Sequence, residues 1–371
     1  MTMTLDGTNG VTFNDTSLQG AAASPYVLKN RIINGAMVID QRNAGANVNP
    51  AVAATYYLDR WIAQSTAAGK FSIGQNAGAV TPPAGFTYYL GTTSLSAYTV
   101  ATGEAFGVRQ LIEGYNIADL AWGTANAKTV TLSFQVYSSL TGTFGGALRN
   151  SSNARSYPFS YTISTANTWT QISVTIAGDT SGTWLTTNGV GVKVDFSIGA
   201  GATFSGTAGS WAGANYTSAT GATSVVGTNG ATFYITGVQL EIGSTATPFE
   251  RRLYGQELAN CQRYYWKMTA YNSGGGAYAG LASGVASTTT GTYVYLKYPV
   301  AMRAEATFIG SGLIMRSGTT NNNVNSPNVI YPGTDSSMLE YTGLTSTTAG
   351  YAAILFVNGS TTNYLSASAE L

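Results

Sequence analysis

The sequence predicts an all-β protein, an antiparallel β-sandwich of the jelly-roll type, and two observations carry that prediction. Apolar and polar residues alternate along segments such as KTVTLSFQVYSS and VGVKVDFSIG, and a period of two is the pattern of a strand with one buried face. Turns rich in Gly, Ser and Thr separate these segments, without helical stretches between them, as in antiparallel sandwiches. The 371 residues allow two domains, or one large β-domain with appendages.

The first element is RIINGAMVIDQRNAG, residues 31–45, where Asn-Gly stands between short apolar runs. Asn-Gly supplies the positive φ angles of a tight hairpin, so this stretch predicts two short strands around a turn. We expect Arg31 and Arg42 to serve the architecture, by capping carbonyl groups or by pairing with acids such as Asp40. Asp59-Arg60-Trp61, in YYLDRWIA, is likewise expected to mark the fold and not a site of chemistry.

Four later segments show the alternation of a half-buried strand. The residues expected on their buried faces are Val130, Leu132, Phe134 and Val136, then Ile172, Val174 and Ile176, then Val190, Val192, Val194, Phe196 and Ile198, and finally Phe233, Ile235, Val238, Leu240 and Ile242. In the third segment, Lys193 and Asp195 are expected to face outward. In the fourth, the alternation changes phase at Gly237, which predicts a bulge where the strand turns a corner.

The chain divides into three predicted regions. Residues 1–29 contain Asp-Gly and Asn-Gly turns and the small-residue linker AAASP, with too little apolar mass to fold alone. Residues 30–252 form the large β-domain, which ends after Pro248 interrupts the strand in STATPFERR. Residues 253–371 begin with one short helix in LYGQELANCQRYYWKM, where apolar residues recur at helical spacing. TYVYLKYPVAM and YAAILFVNG then alternate again, which predicts a smaller C-terminal β-domain.

Composition excludes several classes of function. Charged residues make up only 9% of the chain, and the net charge of +1 gives no basic field for nucleic acid. The N-terminus lacks the basic and apolar regions of a secretory signal, and no apolar run is long enough for a membrane span. Cys261 is the single cysteine and histidine is absent, which excludes an internal disulfide, Ser-His-Asp and Cys-His catalysis, and His-based zinc sites. We therefore expect no nucleic-acid partner and no membrane insertion.

Carboxylate chemistry stays open at this point. Glycoside cleavage needs only two acids at a set separation, and the sequence does not reveal whether any two of the 16 acids approach one another. A structural calcium ion also stays open, since Asp179, Asp195 and Glu241 are available as carboxylates. We expect no other cofactor.

Four stretches occur in the same order in a group of phage virion proteins that this chain resembles. They are NRIINGAMVIDQRNAG, YYLDRWIA, VQLEIGSTATPFERR and LANCQRYYWK, and the leader GVTFNDTSLQ is similar to segments near the start of many phage fibre proteins. Together these stretches frame residues 1–267. The region from about Met268 onward has no match of this kind, and variable tips are what such a family leads one to expect.

The resemblance implies a tail-fibre or receptor-binding virion protein with a carbohydrate-binding-like jelly roll. It also implies a homotrimer that attaches to other tail proteins of the virion through residues 1–29. The missing secretory signal fits a protein made in the host cytoplasm. The leading function is then a non-enzymatic fibre that binds a bacterial surface glycan or protein receptor during adsorption. The alternatives are a polysaccharide depolymerase with paired carboxylates, and a purely structural or decorative virion protein whose aromatic residues all lie in subunit contacts.

Aromatic residues in polar, glycine-rich surroundings are the candidates for receptor binding. A flat ring among Asn, Ser and Thr suits the apolar face of a sugar, although such rings are equally at home between subunits. The tip around Gly274-Gly275-Gly276 is the place where we most expect receptor contact, and on the next strand Tyr293, Tyr295 and Lys297 alternate with apolar residues. The candidates are Tyr88, Tyr89, Trp184, Trp211, Tyr216, Tyr271, Tyr278, Tyr293 and Tyr295.

Overall fold

A computed structural model of the chain describes three short N-terminal strands and residues 28–272, 277–360 and 362–371. The N-terminal strands are Thr4–Asp6 (β1), Gly10–Thr12 (β2) and Leu18–Gln19 (β3). They pair antiparallel into one small sheet in the order β1-β2-β3. The predicted linker AAASP lies outside the described residues.

Two large antiparallel sheets follow. Their strands, with one short parallel pair (β14 and β15), are Ala53–Leu58 (β4), Trp61–Ser65 (β5), Phe71–Gln75 (β6), Leu90–Ser94 (β7), Ala105–Glu113 (β8), Val130–Ser138 (β9), Gly142–Arg149 (β10), Ser156–Ile163 (β11), Thr170–Ile176 (β12), Val190–Ala200 (β13), Ser205–Gly206 (β14), Ser218–Ala219 (β15) and Thr232–Ile242 (β16). The six-stranded sheet has the order β11-β10-β13-β8-β5-β4, and the five-stranded sheet has the order β12-β9-β16-β7-β6. Short 3-10 helices span Gly114–Asn116, Ala118–Leu120 and Ala202–Phe204.

The two sheets stack around one hydrophobic core, which confirms the predicted sandwich. Phe134 of β9 and Phe196 of β13 come from opposite sheets, and their ring centroids lie 5.0 Å apart. Most residues predicted to face inward are buried. The exceptions are Ile172 and Val174 on the edge strand β12 and Val190 at the start of β13, which are half-buried, and Ile242 at the end of β16, which is 39% exposed. These strands reach the rim of the sandwich, where the opposite sheet no longer covers them.

The predicted bulge at Gly237 is confirmed. The register between β16 and β9 shifts between Thr236 and Gln239, and Gly237 has a φ of 60°. A Cβ atom at this position would lie 2.6 Å from the ring of Phe86. Glycine is therefore required both by the backbone conformation and by the close approach of the ring.

The predicted strand pair at residues 31–45 is wrong, because the segment forms turns without strands. The Asn34 side chain bonds to both backbone groups of Ile39, with its Nδ2 2.8 Å from the carbonyl oxygen and its Oδ1 3.0 Å from the amide nitrogen. The Asp40 carboxylate accepts hydrogen bonds from three backbone amides that follow it. Such side-chain bonds compete with strand pairing for the same backbone groups.

The C-terminal region has one α-helix among the described residues and a second set of sheets. The helix α1 spans Tyr254–Gln262, as predicted, and no helix in the described part of the chain is long and apolar enough to cross a membrane. The strands are Tyr265–Thr269 (β17), Tyr271–Asn272 (β18), Ala277–Ala286 (β19), Gly291–Lys297 (β20), Thr307–Ser311 (β21), Leu313–Ser317 (β22), Thr320–Val324 (β23), Asn328–Tyr331 (β24), Ser336–Thr342 (β25), Ala352–Asn358 (β26) and Tyr364–Ser368 (β27).

A three-stranded sheet, β17-β27-β21, and an eight-stranded sheet, β23-β22-β26-β19-β20-β25-β24 with β18 beside β19, enclose a second hydrophobic core. Leu339 and Leu355 of the larger sheet and Leu365 of the smaller sheet are fully buried in it. The sandwich core and this second core lie on either side of α1 in the sequence. The predicted boundary after Arg252 itself stays a prediction.

The four stretches that carry the family resemblance meet at the junction between these two cores. Arg252 donates to the carbonyl oxygen of Ile32 at 3.1 Å, and the guanidinium carbon of Arg60 lies 3.6 Å from the ring centroid of Tyr264. Arg42 and Arg60 both bind the Glu370 carboxylate. The four stretches therefore serve the architecture, by joining the sandwich to the C-terminal sheets.

The expected architectural roles of the two arginines in the first stretch are confirmed, with different partners. Arg31 pairs with Asp119 at 2.6 Å and donates to the Asn116 carbonyl oxygen at 3.3 Å. Arg42 pairs with Glu370 at 2.7 Å. Asp40, the acid suggested by the sequence, is occupied by the backbone amides that it caps.

Candidate functional site

The outer face of the five-stranded sheet carries polar and aromatic side chains in adjacent rows. Gln171 of β12 pairs in register with Gln135 of β9, and one step along the same face Tyr137 of β9 pairs with Tyr234 of β16. Trp169 directly precedes β12 and continues the row of tyrosines. Because outward residues of paired strands lie side by side, the sheet presents a row of amides next to a row of rings.

The row of rings is a continuous stack. Tyr137 lies nearly parallel to Tyr234, with centroids 5.3 Å apart and an angle of 8° between the planes. Trp169 contacts Tyr137 and Tyr89, both with centroids 5.5 Å apart, and its indole nitrogen donates to the Thr81 carbonyl oxygen at 2.9 Å. Tyr89 and Tyr234 are buried, whereas Tyr137 and Trp169 are half-buried. The stack therefore offers two partly exposed rings, those of Tyr137 and Trp169, backed by the buried rings of Tyr89 and Tyr234.

The row of amides has hydrogen-bonding capacity to spare. Gln135 Nε2 donates to Gln171 Oε1 at 2.5 Å, and Gln171 Nε2 donates to the backbone carbonyl oxygen of Ile172 at 3.2 Å. No donor among the described residues reaches Gln135 Oε1. Gln171 is exposed, so the pair offers both donors and acceptors to a ligand hydroxyl group.

A groove with a volume of about 470 Å³ lies on the same face, within the range of about 300–1,000 Å³ that is usual for small-molecule sites. Phe86 and Phe249 meet edge to face in it, with centroids 5.2 Å apart. The guanidinium carbon of Arg251 lies 4.8 Å from the Phe86 centroid. The groove is lined by Phe86, Ser133, Gln171, Gly237, Ala246, Thr247, Pro248, Phe249 and Arg251.

We call this surface the groove face: the groove together with Gln135, Tyr137 and Trp169 beside it. It combines aromatic rings, amides and one cation, and no Asp or Glu side chain lines the groove. The rings of this surface can stack against an apolar face of a ligand, and its amides and its cation can form hydrogen bonds with the ligand's hydroxyl groups.

The structure places the first two candidates from the sequence beside or beneath the groove face. Tyr89 is fully buried, and its hydroxyl group donates to the Ala77 carbonyl oxygen at 2.7 Å. It thus backs the stack without facing solvent. Tyr88 is half-buried against the sandwich core, and its carbonyl oxygen accepts a hydrogen bond from Thr236 at 2.7 Å.

Trp184 and Trp211 belong to a separate cluster with Trp122. The three ring centroids lie 4.7 to 5.4 Å apart, all edge to face. Each indole nitrogen donates to a backbone carbonyl oxygen, at 2.8 to 3.1 Å. Trp184 is buried and Trp211 is half-buried against the core. Tyr216 is half-buried, with its ring against Gly206. These rings are occupied by contacts within the chain.

The remaining candidates lie in the C-terminal region. Tyr295 is 55% exposed on β20, and its hydroxyl group donates to Ser336 Oγ at 2.8 Å; Tyr293, on the same face, is half-buried. Tyr271 and Tyr278 pair in register between β18 and β19. The side chains of this second pair, and residues 274–276, lie outside the described residues. The structure therefore brings neither Tyr293 nor Tyr295 to the groove face.

Sequence reasoning missed most of the groove face, although a signal was present. The alternation that placed Phe134 and Ile172 inward also placed Gln135 and Gln171 outward. Continuing it reaches Tyr137 on the same strand as Gln135, and Trp169 directly before the strand of Gln171. Phe86 and Arg251, which come from the loops on either side, gave no signal of this kind.

Asp195, predicted to face solvent, is buried on the outer face of the six-stranded sheet. Arg109 and Arg149 both bind its carboxylate. Burial alone would raise the pKa of Asp195, but the two guanidinium groups outweigh that effect and hold it below its usual value. Burial, with the repulsion of the same two arginines, lowers the pKa of Lys193 to about 8. The outward side of this strand is therefore an internal ion cluster.

The carboxylates considered for calcium are held by protein donors. Arg155 binds Asp179 through two nitrogens, at 2.7 and 2.8 Å, and Glu241 accepts hydrogen bonds from Thr247 and Gln239. Within the described residues, no group of three Cys, Asp or Glu side chains is placed to hold a metal ion. A structural calcium ion stays an untested prediction.

Acids that approach one another lie at the junction and not in the groove. Glu250 and Glu257 share Arg252, at 2.9 and 3.4 Å, and both side chains are less than a tenth exposed. Burial raises the pKa of Asp59 to about 6, but Asp59 is fully buried and bonded to Gln41. Asp59 is enclosed by protein, whereas Glu250 and Glu257 are bound by Arg252 and line a small cavity of about 90 Å³ at the junction.

No protein-family model matches the sequence, and no curated protein matches it either. Several solved structures do. The enzymatically active domain of tailspike protein 4 from bacteriophage CBA120 matches over 60% of this chain at 12% identity, with a TM-score of 0.31, and this match spans 22% of that structure's chain. The family 11 carbohydrate-binding module from Clostridium thermocellum, in complex with a mixed-linked tetrasaccharide, matches over 54% of this chain and 98% of its own, at 12% identity and a TM-score of 0.26.

The N-terminal tandem of family 22 carbohydrate-binding modules from Paenibacillus barcinonensis matches over 89% of this chain and 98% of its own, at 10% identity and a TM-score of 0.25. Identities and scores this low carry no argument about function.

Proposed function

We propose that this chain is a receptor-binding protein of a phage virion, a trimeric tail fibre whose sandwich binds a bacterial surface glycan through the groove face. The observation that carries the glycan part is the juxtaposition of partly exposed rings, spare amides and an open groove on one sheet face. The virion part is supported by the order of the four stretches and the fibre-like leader in residues 1–29.

The chemistry of the groove face suits sugars because a sugar ring has an apolar C–H face and a rim of hydroxyl groups. Each ring contact is worth about 0.5–1.5 kcal/mol, taking aromatic pairs as the guide. Each amide–hydroxyl hydrogen bond adds about 0.5–1.5 kcal/mol. Three or four such contacts at about 1 kcal/mol each give a dissociation constant in the millimolar range, about 1–10 mM. Copies linked in one fibre raise such a weak affinity by about 10²–10⁴ through avidity.

We propose binding without cleavage. Glycosidases place two carboxyl groups about 5–9.5 Å apart across the scissile bond, and the lining of the groove contains no carboxyl group. The acids with near neighbours are buried at the junction and bound to arginine or glutamine. This distribution of carboxyl groups is the one we expect of a non-enzymatic adsorption protein on the virion tail.

The test is binding to purified surface polysaccharide from the host, measured by titration calorimetry with the intact protein. Phe86→Ala removes a groove ring and Gln171→Ala removes an exposed amide, so each is expected to weaken binding by about two- to twelve-fold. Tyr295→Ala is the matched control, since it removes an exposed ring from the C-terminal sheet.

Loss of binding in Tyr295→Ala, with the two groove variants unchanged, would move the receptor site to the C-terminal region. Light scattering on the same mixtures tests whether the polysaccharide is cleaved. Light scattering on the protein alone tests whether it is a trimer. Polysaccharide mass that falls over several hours would mean cleavage, and a protein mass other than three chains would contradict the trimer.

A further inference from the structure

Arg251 is a cation without a counter-ion at the edge of the groove. Its guanidinium group has no hydrogen bond or ion pair with any described residue, and its side chain is exposed. Its neighbour Arg252 differs in every respect, since it binds Glu250, Glu257 and the Ile32 carbonyl oxygen and is mostly buried. All five N–H donors of Arg251 are therefore available to a ligand.

The protein nevertheless holds this guanidinium in a defined place. It lies over Phe86 at 4.8 Å and near Phe249 at 5.8 Å, measured from its central carbon to the ring centroids. Gly85 also lies close to it, because a Cβ atom at that position would lie 2.8 Å from Nη2 of Arg251. Gly85 has a φ of 82°, so the turn both requires glycine and leaves room for the guanidinium. Cation–π contact positions the group and leaves its N–H edge free.

Glu241 and Glu250, the two acids that precede Arg251 in the sequence, do not neutralise it, and Glu257 after it is bound by Arg252. The Glu250 carboxylate accepts from Arg252 at 2.9 Å and from the Asn30 amide at 3.0 Å. The Glu241 carboxylate accepts from Thr247 through both the backbone amide and the hydroxyl group, at 2.9 and 2.6 Å. Since no other charged side chain lines the groove, its net charge is that of Arg251 alone.

We infer that the groove selects acidic glycans, with a carboxylate or phosphate group of the sugar bound by Arg251 while the sugar ring lies against Phe86. This inference rests on the proposed glycan-binding function and names its ligand class. Guanidinium binds both anions through two parallel N–H···O bonds. A uronic acid and a phosphate substituent therefore present the same chemistry to this site, and the experiment has to separate them.

The experiment uses the intact protein and three forms of the host surface polysaccharide. These are the native polymer, the polymer with its carboxyl groups reduced to alcohols, and the polymer freed of phosphate substituents. Affinities are measured for the wild type, Arg251→Gln and Arg251→Lys. Arg316→Gln is the control, because Arg316 is an exposed arginine on the C-terminal sheet without a carboxylate partner among the described residues.

The native polymer is expected to lose at least about tenfold in affinity when Arg251 is changed to Gln, as for the loss of a charged hydrogen bond. Removal of the acidic group from the polymer gives the same loss, and the two losses do not add. Arg251→Lys keeps the charge without the paired geometry and regains only part of the affinity. Which of the two treated polymers loses affinity tells whether the anion is carboxylate or phosphate.

The inference is overturned if Arg251→Gln binds the native polymer as the wild type does, or if both treated polymers bind the wild type as tightly as the native one. In either case Phe86→Ala still weakens binding, so the proposed function stands. If the wild type binds none of the three polymers, the proposed function itself fails and the inference with it.

Discussion

The Glu370 carboxylate ties the C-terminal sheets to the sandwich, and its replacement by glutamine gives the sharpest stability prediction. Glu370 binds Arg42 at 2.7 Å and also binds Arg60, and the side chains of Glu370 and Arg60 are 8% and 1% exposed. Burial lowers the pKa of Arg60, but the attraction of Glu370 outweighs that effect and raises it above its usual value. Arg60 is therefore a fully buried cation whose compensating charge is Glu370.

Glu370→Gln leaves this cation buried without a counter-charge. Removing one partner of a buried ion pair costs about 3–5 kcal/mol. The stacking of Arg60 on Tyr264 and its hydrogen bond to the Leu111 carbonyl oxygen remain in the variant, so the loss is electrostatic. We expect the free energy of unfolding to fall by about 3–5 kcal/mol.

The assay is urea unfolding followed by circular dichroism and by tryptophan fluorescence, since two cores allow two transitions. Glu305→Gln is the matched control, because Glu305 is exposed and takes part in no ion pair among the described residues. The control is expected to change stability by less than about 0.5 kcal/mol. A loss of less than about 1 kcal/mol in Glu370→Gln, comparable to the control, would refute the reasoning.

Three further predictions concern buried charge and the bulge. Because the pKa of Asp59 is raised from 3.8 to about 6, the folded state keeps a proton that the unfolded state loses between about pH 4 and 6. The Asp59 contribution to the free energy of unfolding therefore falls by about 3 kcal/mol as the pH rises through that window; Asp59→Asn should remove this slope in urea titrations, and an unchanged slope would contradict it. Asp195→Asn leaves Arg109 and Arg149 without their shared counter-charge and should cost about 3–5 kcal/mol, seen as a lower midpoint of thermal unfolding; an unaltered midpoint would count against the ion cluster. Gly237→Ala should cost about 1–2 kcal/mol from its positive φ alone and more from the contact with Phe86, so Phe86→Ala in the same chain should recover part of the loss; strictly additive losses in urea unfolding would mean that the ring and the glycine do not interact.

The sequence predicted the parts of the fold that depend on the strand period. Phe134 and Phe196 were assigned to the core because alternation requires it, and they meet across the two sheets. Ile242 was assigned inward by the same rule and is exposed, since the period does not tell where one sheet ceases to cover the other. Asp195 was assigned outward, and that face is buried because arginines from two neighbouring strands converge on it.

The strand pair predicted for residues 31–45 was wrong for a different reason. Asn-Gly is a strong hairpin signal, but here the Asn34 side chain bonds to the backbone five residues later and to the Asp59 carbonyl oxygen. The second of these contacts depends on tertiary structure, which no local pattern contains.

The sequence indicated single residues of the groove face but not how they come together. Alternation marked Gln135 and Gln171 as outward residues, but their pairing depends on β9 lying between β12 and β16. That order of strands is a property of the whole sheet. Phe86 and Arg251 come from segments more than 150 residues apart, and only the folded chain brings them to one groove.

The most direct test of the central claim is a crystal structure of the intact protein with a fragment of the host surface polysaccharide bound. We expect the sugar rings to lie against Phe86 or Trp169, with hydroxyl groups bonded to Gln135 and Gln171. A glycan bound on the C-terminal sheet near Tyr295, with the groove face free of sugar, would contradict the account.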